Sequence, residues 1–249
     1  MSKFLMAPVA VAALVLGANP AFAWEEFTVT VNPSPWSNVG LTATGIVDAS
    51  SGGNVNSSTS QAAARFMVNV AGTNSSHGGV LANNSSFETY CVDLTQFAPG
   101  GMTTSLDGYT LVGSTAQVTS GKLTDINKLY TVGSAWASTN ASTAAAFQSA
   151  IWEIVYETAG SYDLGNGNMK FGVAGSNSAL ATDLAFANGL FTGLGSVNAL
   201  YSSQVLYSRS AQDFLVMTPV PEPEGYALAF AGLACVGLFG RKFRAAKKA

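Results

Sequence analysis

Cys91 stands in the run Tyr90-Cys91-Val92-Asp93-Leu94, and the chain's other cysteine, Cys235, lies far off in an apolar tail. A lone thiol in a chain that reads as exported has four fates. It pairs with another chain, sits inert in a core, acts as a catalytic nucleophile, or bonds to another side chain. Intermolecular pairing favours an exposed loop, whereas Cys91 has apolar neighbours and strand character. A thiol hydrolase needs a base beside the sulfur. The sequence holds one histidine, His77, in a Ser/Gly/Asn loop of the kind that water surrounds. No acid/base cluster beyond common carboxylates supports a secreted hydrolase, so the chain is not expected to be an enzyme. An inert core thiol and a side-chain bond both remain open.

A thiolate can attack a carboxamide carbon, expel ammonia and leave a thioester. That product survives only where water is kept out and the geometry is fixed. The acyl donor must be Gln or Asn on a rigid element under apolar cover. Gln148 meets those needs, in a helical run one turn before Trp152 and beside Phe147, Ser149 and Ala150. The small neighbours let the helix approach a strand closely, and Trp152 would roof the bond. Asp93, two residues from Cys91, belongs to the same strand face. There it either accepts a hydrogen bond that fixes the strand or stands as a solvated edge acid.

Taken together, "YCVDL" and "FQSAIWEIVYE" resemble the thioester domains of bacterial surface adhesins. Those domains carry a Cys followed by a hydrophobic residue and often Asp, then a later Thr-Gln-x-Ala-x-Trp helix. Cys91, Val92 and Asp93 match the first motif; Gln148, Ala150 and Trp152 match the second. Phe147 departs from the family's Thr. The resemblance implies a Cys91–Gln148 thioester with Asp93 and Trp152 in support. It also implies a single-use electrophile, in which an amine on a target surface displaces the sulfur and leaves a covalent amide.

The ends place this chemistry outside the cell. Residues 1–23 read as a cleaved signal peptide, with Lys3, an apolar stretch from Leu5 to Leu16 too short to span a bilayer, and Ala21-Phe22-Ala23 as cleavage site. The alternative is an N-terminal anchor. Residues 219–249 form a tail with Val220-Pro221-Glu222-Pro223, an apolar helix over 225–240 and a basic end from Arg241 to Lys248. That three-part order resembles the PEP-CTERM sorting signal of Gram-negative bacteria. It implies handling by the membrane protease exosortase, transient anchoring in the membrane, and an association with exopolysaccharide and biofilm. An ordinary tail anchor is the alternative. The best-known thioester domains belong to Gram-positive walls, so the two resemblances point to different envelopes.

Between Trp24 and Glu224 the chain holds five basic and fourteen acidic residues, a formal charge of −9. That excludes nucleic acid as a natural partner. No cofactor or metal is expected: "DLGNGNMK" (163–170) lacks calcium-loop spacing and reads as a turn. Glu153 and Glu157, one turn apart, read as a solvated face. The Asn-x-Ser/Thr triplets mark surface loops, and the aromatics follow core periodicity.

The elements that must position Cys91 and Gln148 follow from periodicity. Alternation predicts strands over 27–31, 39–49, 64–72 and 87–94, with Ser/Asn/Gly loops over 50–60 and 73–86. The period then changes. Leu123, Ile126, Leu129 and Tyr130 share a helical face; residues 142–158 form the clearest helix, with Ser142 as N-cap; a weaker helix covers 178–191. Strand character returns before the breaker at Pro221. One outside domain, 24–218, is therefore α+β: a β-dominated sandwich or barrel with a helical insertion.

Overall fold

The computed structural model describes residues 26–33, 41–48, 53–55, 63, 65–73, 81–82, 84–94, 96, 105–173, 175–209, 211–220 and 233. The signal segment 1–23, Pro221 to Pro223 and the 225–240 helix, Leu233 apart, lie outside the described residues. Among the described residues no helix is long and apolar enough to cross a membrane.

The chain mixes strands and helices, as an α+β reading requires. Strands β1 (Glu26–Pro33), β2 (Leu41–Asp48), β3 (Gly53–Val55), β4 (Phe66–Thr73), β5 (Ser86–Thr89) and β6 (Ser105–Val112) come first. Helices α1 (Ser120–Ala137) and α2 (Ala141–Tyr156) follow. Then come β7 (Met169–Val173), α3 (Ser178–Gly189), a 3₁₀ turn (Leu190–Ser196), β8 (Tyr201–Tyr207) and β9 (Phe214–Pro219). Six strands pair in the order β5-β4-β1-β6-β8-β9, and three more in the order β3-β2-β7. Every pairing is antiparallel.

Strand alternation works as expected in β4, where Phe66, Val68 and Val70 are buried between half-buried Met67 and Asn69. The strand anticipated over 87–94 ends sooner, at Thr89. Beyond it the chain leaves β4 and meets β9 instead. Cys91 bridges Phe214, Val92 N–H donates to the Asp213 carbonyl (3.0 Å), and Leu215 N–H donates to the Tyr90 carbonyl (3.0 Å). The two edges of the six-stranded sheet are thus tied together at the cysteine. Three strands escaped the sequence reading: β3 within the 50–60 loop, β6, and β7, whose first residues Met169 and Lys170 fall inside the turn expected over 163–170.

The N-cap of α2 is Asn140, not Ser142. The Asn140 side chain accepts from Ser142 N–H (2.8 Å) and Thr143 N–H (3.0 Å), while Asn140 N–H donates to Thr143 Oγ1 (3.1 Å). This reciprocal arrangement satisfies orphan donors at the helix start. The burial of α2 goes beyond one apolar face: every residue from Thr143 to Tyr156 is buried. A helix covered all round needs small side chains where neighbours press, and Ala144, Ala145 and Ala146 supply them.

Gly133 of α1 makes one close approach possible. A β-carbon there would lie 2.5 Å from Phe147 Cε2 and 2.9 Å from Leu190 Cδ1. Phe147 is itself held edge-on against Tyr90 (5.2 Å between centroids) and Tyr130 (6.0 Å), so its ring has little room to yield. Gly133→Ala should therefore lower the melting temperature. Overpacking costs about 1–3 kcal/mol, against a helix-propensity gain of about 1 kcal/mol. A thermal unfolding curve at or above the wild-type midpoint would contradict this packing.

Candidate functional site

Cys91 and Gln148, 57 positions apart, meet side by side in the core. β5 and its bridge to β9 present Cys91; the middle of α2 presents Gln148. Both residues are fully buried. Cys91 N–H donates to Gln148 Oε1 (2.9 Å), and Gln148 Nε2 donates to the Cys91 carbonyl (2.7 Å). The carboxamide thus pairs with the cysteine's main chain as a neighbouring strand would. The same clasp brings Cys91 Sγ to 3.4 Å from Gln148 Oε1. With a carbonyl bond of about 1.23 Å, Sγ is at most about 4.6 Å from the Gln148 acyl carbon.

Each contact has a counterpart in acyl transfer. Attack of sulfur on the acyl carbon would build negative charge on Oε1, which already accepts the Cys91 N–H in the manner of an oxyanion hole. The departing nitrogen is Nε2. Thiol plus carboxamide gives thioester plus ammonia, with the thiol proton leaving on the nitrogen.

Burial pushes the Cys91 thiol well above its ordinary pKa, and the nearby Asp93 carboxylate pushes the same way. The Trp152 indole and the Cys91 main-chain N–H act in the opposite direction. A sulfur with a high thiol pKa is a slow leaving group. A thioester formed here would be long-lived until a nucleophile reached it.

Trp152 lies one turn beyond Gln148, as the sequence reading required. It is buried and stacked on Phe171 (6.2 Å, 15° between planes). Its Nε1 makes no hydrogen bond of regular geometry among the described residues, but the indole acts on the Cys91 sulfur as a donor and lowers its pKa. Phe147, where the resembling family has Thr, fills the space between Tyr90 and Tyr130. Asp93 is buried, which rules out a solvated edge acid.

Sequence reasoning missed the residues that fasten the 91–94 segment from its other side. Gln212 Nε2 donates to the Asp93 carbonyl (2.8 Å), and Tyr109 Oη donates to the Gln212 carbonyl (2.8 Å). Tyr156 Oη accepts from Leu94 N–H (2.8 Å). Gln212 precedes β9 in an aperiodic stretch, so no spacing signal marks it. Tyr156, two turns past Gln148, follows it on the same helix face, but the spacing gives it no role. His77 lies outside the described residues, and no group of three or more His, Cys, Asp or Glu among them is placed to hold a metal. Of the expected sorting motif only Val220 is described. It is exposed, and its N–H donates to the Leu200 carbonyl (2.8 Å).

Glu153 and Glu157 are buried, correcting the solvated face expected of them. They fasten the turn that leads into β7. Glu153 Oε1 accepts from Asp163 N–H (2.7 Å), and Glu157 Oε1 accepts from Met169 N–H (2.9 Å). Helical spacing alone cannot report that a later loop folds back over the same face.

Comparison with family models, with curated proteins and with solved structures returns no match to this chain. The site is therefore read from its own geometry.

Burial raises the Glu153 carboxyl to about 8, against the opposing Asp163 N–H. A carboxyl raised by folding contributes stability that is complete below its unfolded value, about 4.3, and is lost as pH climbs through its folded value. Wild-type stability should therefore decline between about pH 4.5 and 8. Glu153→Gln, which keeps an acceptor for Asp163 N–H, should flatten that decline. Urea midpoints across the range test this; parallel wild-type and variant profiles would contradict it.

Proposed function

We propose that this chain is an exported, envelope-sorted surface protein whose Cys91 and Gln148 condense to an internal thioester. The bond is a single-use trap that attaches the protein covalently to amine-bearing targets, and adhesion is the outcome. The observation that carries this reading is the double hydrogen bond between the Gln148 carboxamide and the Cys91 main chain, with sulfur 3.4 Å from the carboxamide oxygen in a dry core. Supporting roles fall to Trp152, which covers the bond, and to Asp93, whose segment the Gln212 clamp holds.

The remaining parts of the reading rest on sequence. Residues 1–23 direct export, Val220-Pro221-Glu222-Pro223 and the apolar run behind it serve exosortase sorting, and the membrane holds the chain transiently. The exopolysaccharide matrix is its surroundings. The finer fold reading, a sandwich or barrel with a helical insertion, belongs to the same proposal and is favoured by the tie between the two edge strands at Cys91. A second reading keeps the pair as core packing in a non-reactive matrix protein. It is favoured by the fact that both ends of an intact Gln148 amide already find partners.

Amine labelling separates the two. The secreted protein should weigh one ammonia less than its sequence mass, and methylamine should add its own mass. Cys91→Ala and Gln148→Ala should show neither effect. A full sequence mass, with a thiol that titrates after unfolding, would leave only the matrix reading.

A further inference from the structure

Among the described residues of the outside domain, four large apolar side chains are exposed: Val132 (43 %), Phe186 (51 %), Leu200 (49 %) and Val220 (43 %). They are not scattered. Leu200 N–H donates to Oγ1 of Thr131 (2.9 Å), the residue before Val132, and Val220 N–H donates to the Leu200 carbonyl (2.8 Å). Val132 shares a face of α1 with Trp136, one turn on, and the half-buried Trp136 ring lies 4.6 Å from Phe186. The last turns of α1 are thus the middle of one surface, with the start of β8 and the end of β9 on one side and α3 on the other.

The segments that build this surface carry no charge. Residues 129–141, 184–208 and 214–220 contain no Asp, Glu, Lys or Arg, in a region that holds fourteen acidic and five basic residues. Single exposed apolar side chains are ordinary, but a joined, uncharged set marks a face that meets something apolar. Two observations say what it meets. The chain leaves the domain through this surface: four residues, 221–224, separate Val220 from the apolar run 225–240, a reach of at most about 18 Å. Whatever takes up that run lies within the same reach of this end of the molecule. Leu233, in the middle of the run, is 68 % exposed, so the domain does not itself cover it. The acidic remainder of the domain is repelled by anionic headgroups, which leaves the uncharged face as the one able to approach a lipid surface.

We propose that the face formed by Val132, Trp136, Phe186, Leu200 and Val220 rests on the headgroup–acyl boundary of a lipid bilayer while the apolar run 225–240 is inserted in it. The inference rests on the membrane part of the reading above and on none of the thioester chemistry. A shallow apolar face with a tryptophan suits that boundary, where an indole keeps its ring in the apolar layer and its N–H toward the headgroups. So small a face binds lipid weakly alone, and the inserted run holds it there at high effective concentration. Docking then fixes which way the domain points. The buried face of α1 packs on α2 where Gly133 meets Phe147, so Gln148, the next residue, is turned away from the lipid and toward the outside.

The full chain, reconstituted into phosphatidylcholine vesicles, tests this. Flotation of the vesicles reports whether the run inserts. Phosphatidylcholine brominated high on its acyl chains then reports, by quenching, which tryptophans reach the lipid. Wild type should be quenched more than Trp136→Phe, the difference being the Trp136 signal. Val132→Glu combined with Leu200→Glu should float as wild type does, yet be quenched no more than Trp136→Phe. Both positions are exposed, and an unchanged melting temperature in detergent checks the fold. Ala135→Glu, also exposed and between Val132 and Trp136, takes its place if the double variant unfolds. A floating chain in which wild type and Trp136→Phe are quenched alike overturns the docked face and leaves the anchor standing. Quenching that survives in a folded Glu variant overturns it too. A chain that does not float overturns both the face and the membrane reading. A dimer in detergent that Val132→Glu splits, with no Trp136 signal in vesicles, gives the face to a second copy of the chain instead.

Discussion

The pairing of the Gln148 carboxamide with the Cys91 main chain is the constraint on which the centre of this protein depends. A side-chain amide carries donors and an acceptor, and burying it without partners would cost several kcal/mol. Cys91 has left β4 by this point in the chain and pairs with β9 through one bridge. Its N–H and carbonyl face α2, where no strand exists to meet them. Gln148 takes the place of that missing strand. Two backbone groups and one side chain, each expensive to bury alone, cancel one another's demand. The geometry that balances the hydrogen bonds also brings sulfur against the acyl group.

The surrounding packing can be understood as what keeps that clasp closed. α2 is buried on every side, so the helix cannot rotate to carry Gln148 away. Phe147 is gripped between two tyrosine rings and the bare backbone of Gly133. Beyond Gln148, Trp152 lies against Phe171, while Glu153 and Glu157 fasten the incoming turn. On the strand side, Gln212, Tyr109 and Tyr156 hold residues 93–94 and their neighbours. Close-packed interiors transmit small displacements, so a shift at any of these supports would be felt at the sulfur. Dryness follows from the same packing, and it both lifts the thiol pKa and strengthens every hydrogen bond at the site.

The acidic character of the outside region takes on a local form in the structure. Fourteen acidic residues against five basic ones between Trp24 and Glu224 describe a general bias. Folding concentrates part of it where Asp93 and Asp213, 120 positions apart in the chain, line one cavity. Glu153 and Glu157 are instead consumed as acceptors for backbone N–H groups. Acidic residues of one chain thus end in two settings, and only their neighbours distinguish them.

Local signals were legible in the residues themselves. Alternation marked β1, β2, β4, β8 and β9; apolar spacing marked α1, α2 and α3. A lone cysteine beside apolar residues, and a glutamine inside an apolar helix one turn before a tryptophan, marked the pair worth watching. These features depend on neighbours within a turn or a strand, which a sequence displays directly. What escaped was decided across distance. The early end of β5, the burial of Glu153 and Glu157, the clamp by Gln212 and the cavity between Asp93 and Asp213 each need segments far apart in sequence to touch. The chain by itself determined which groups were available and which face of each element they occupied. Tertiary structure alone decided that the Cys91 backbone would lack a strand partner and find Gln148, because pairing demand is settled by which segments pack together.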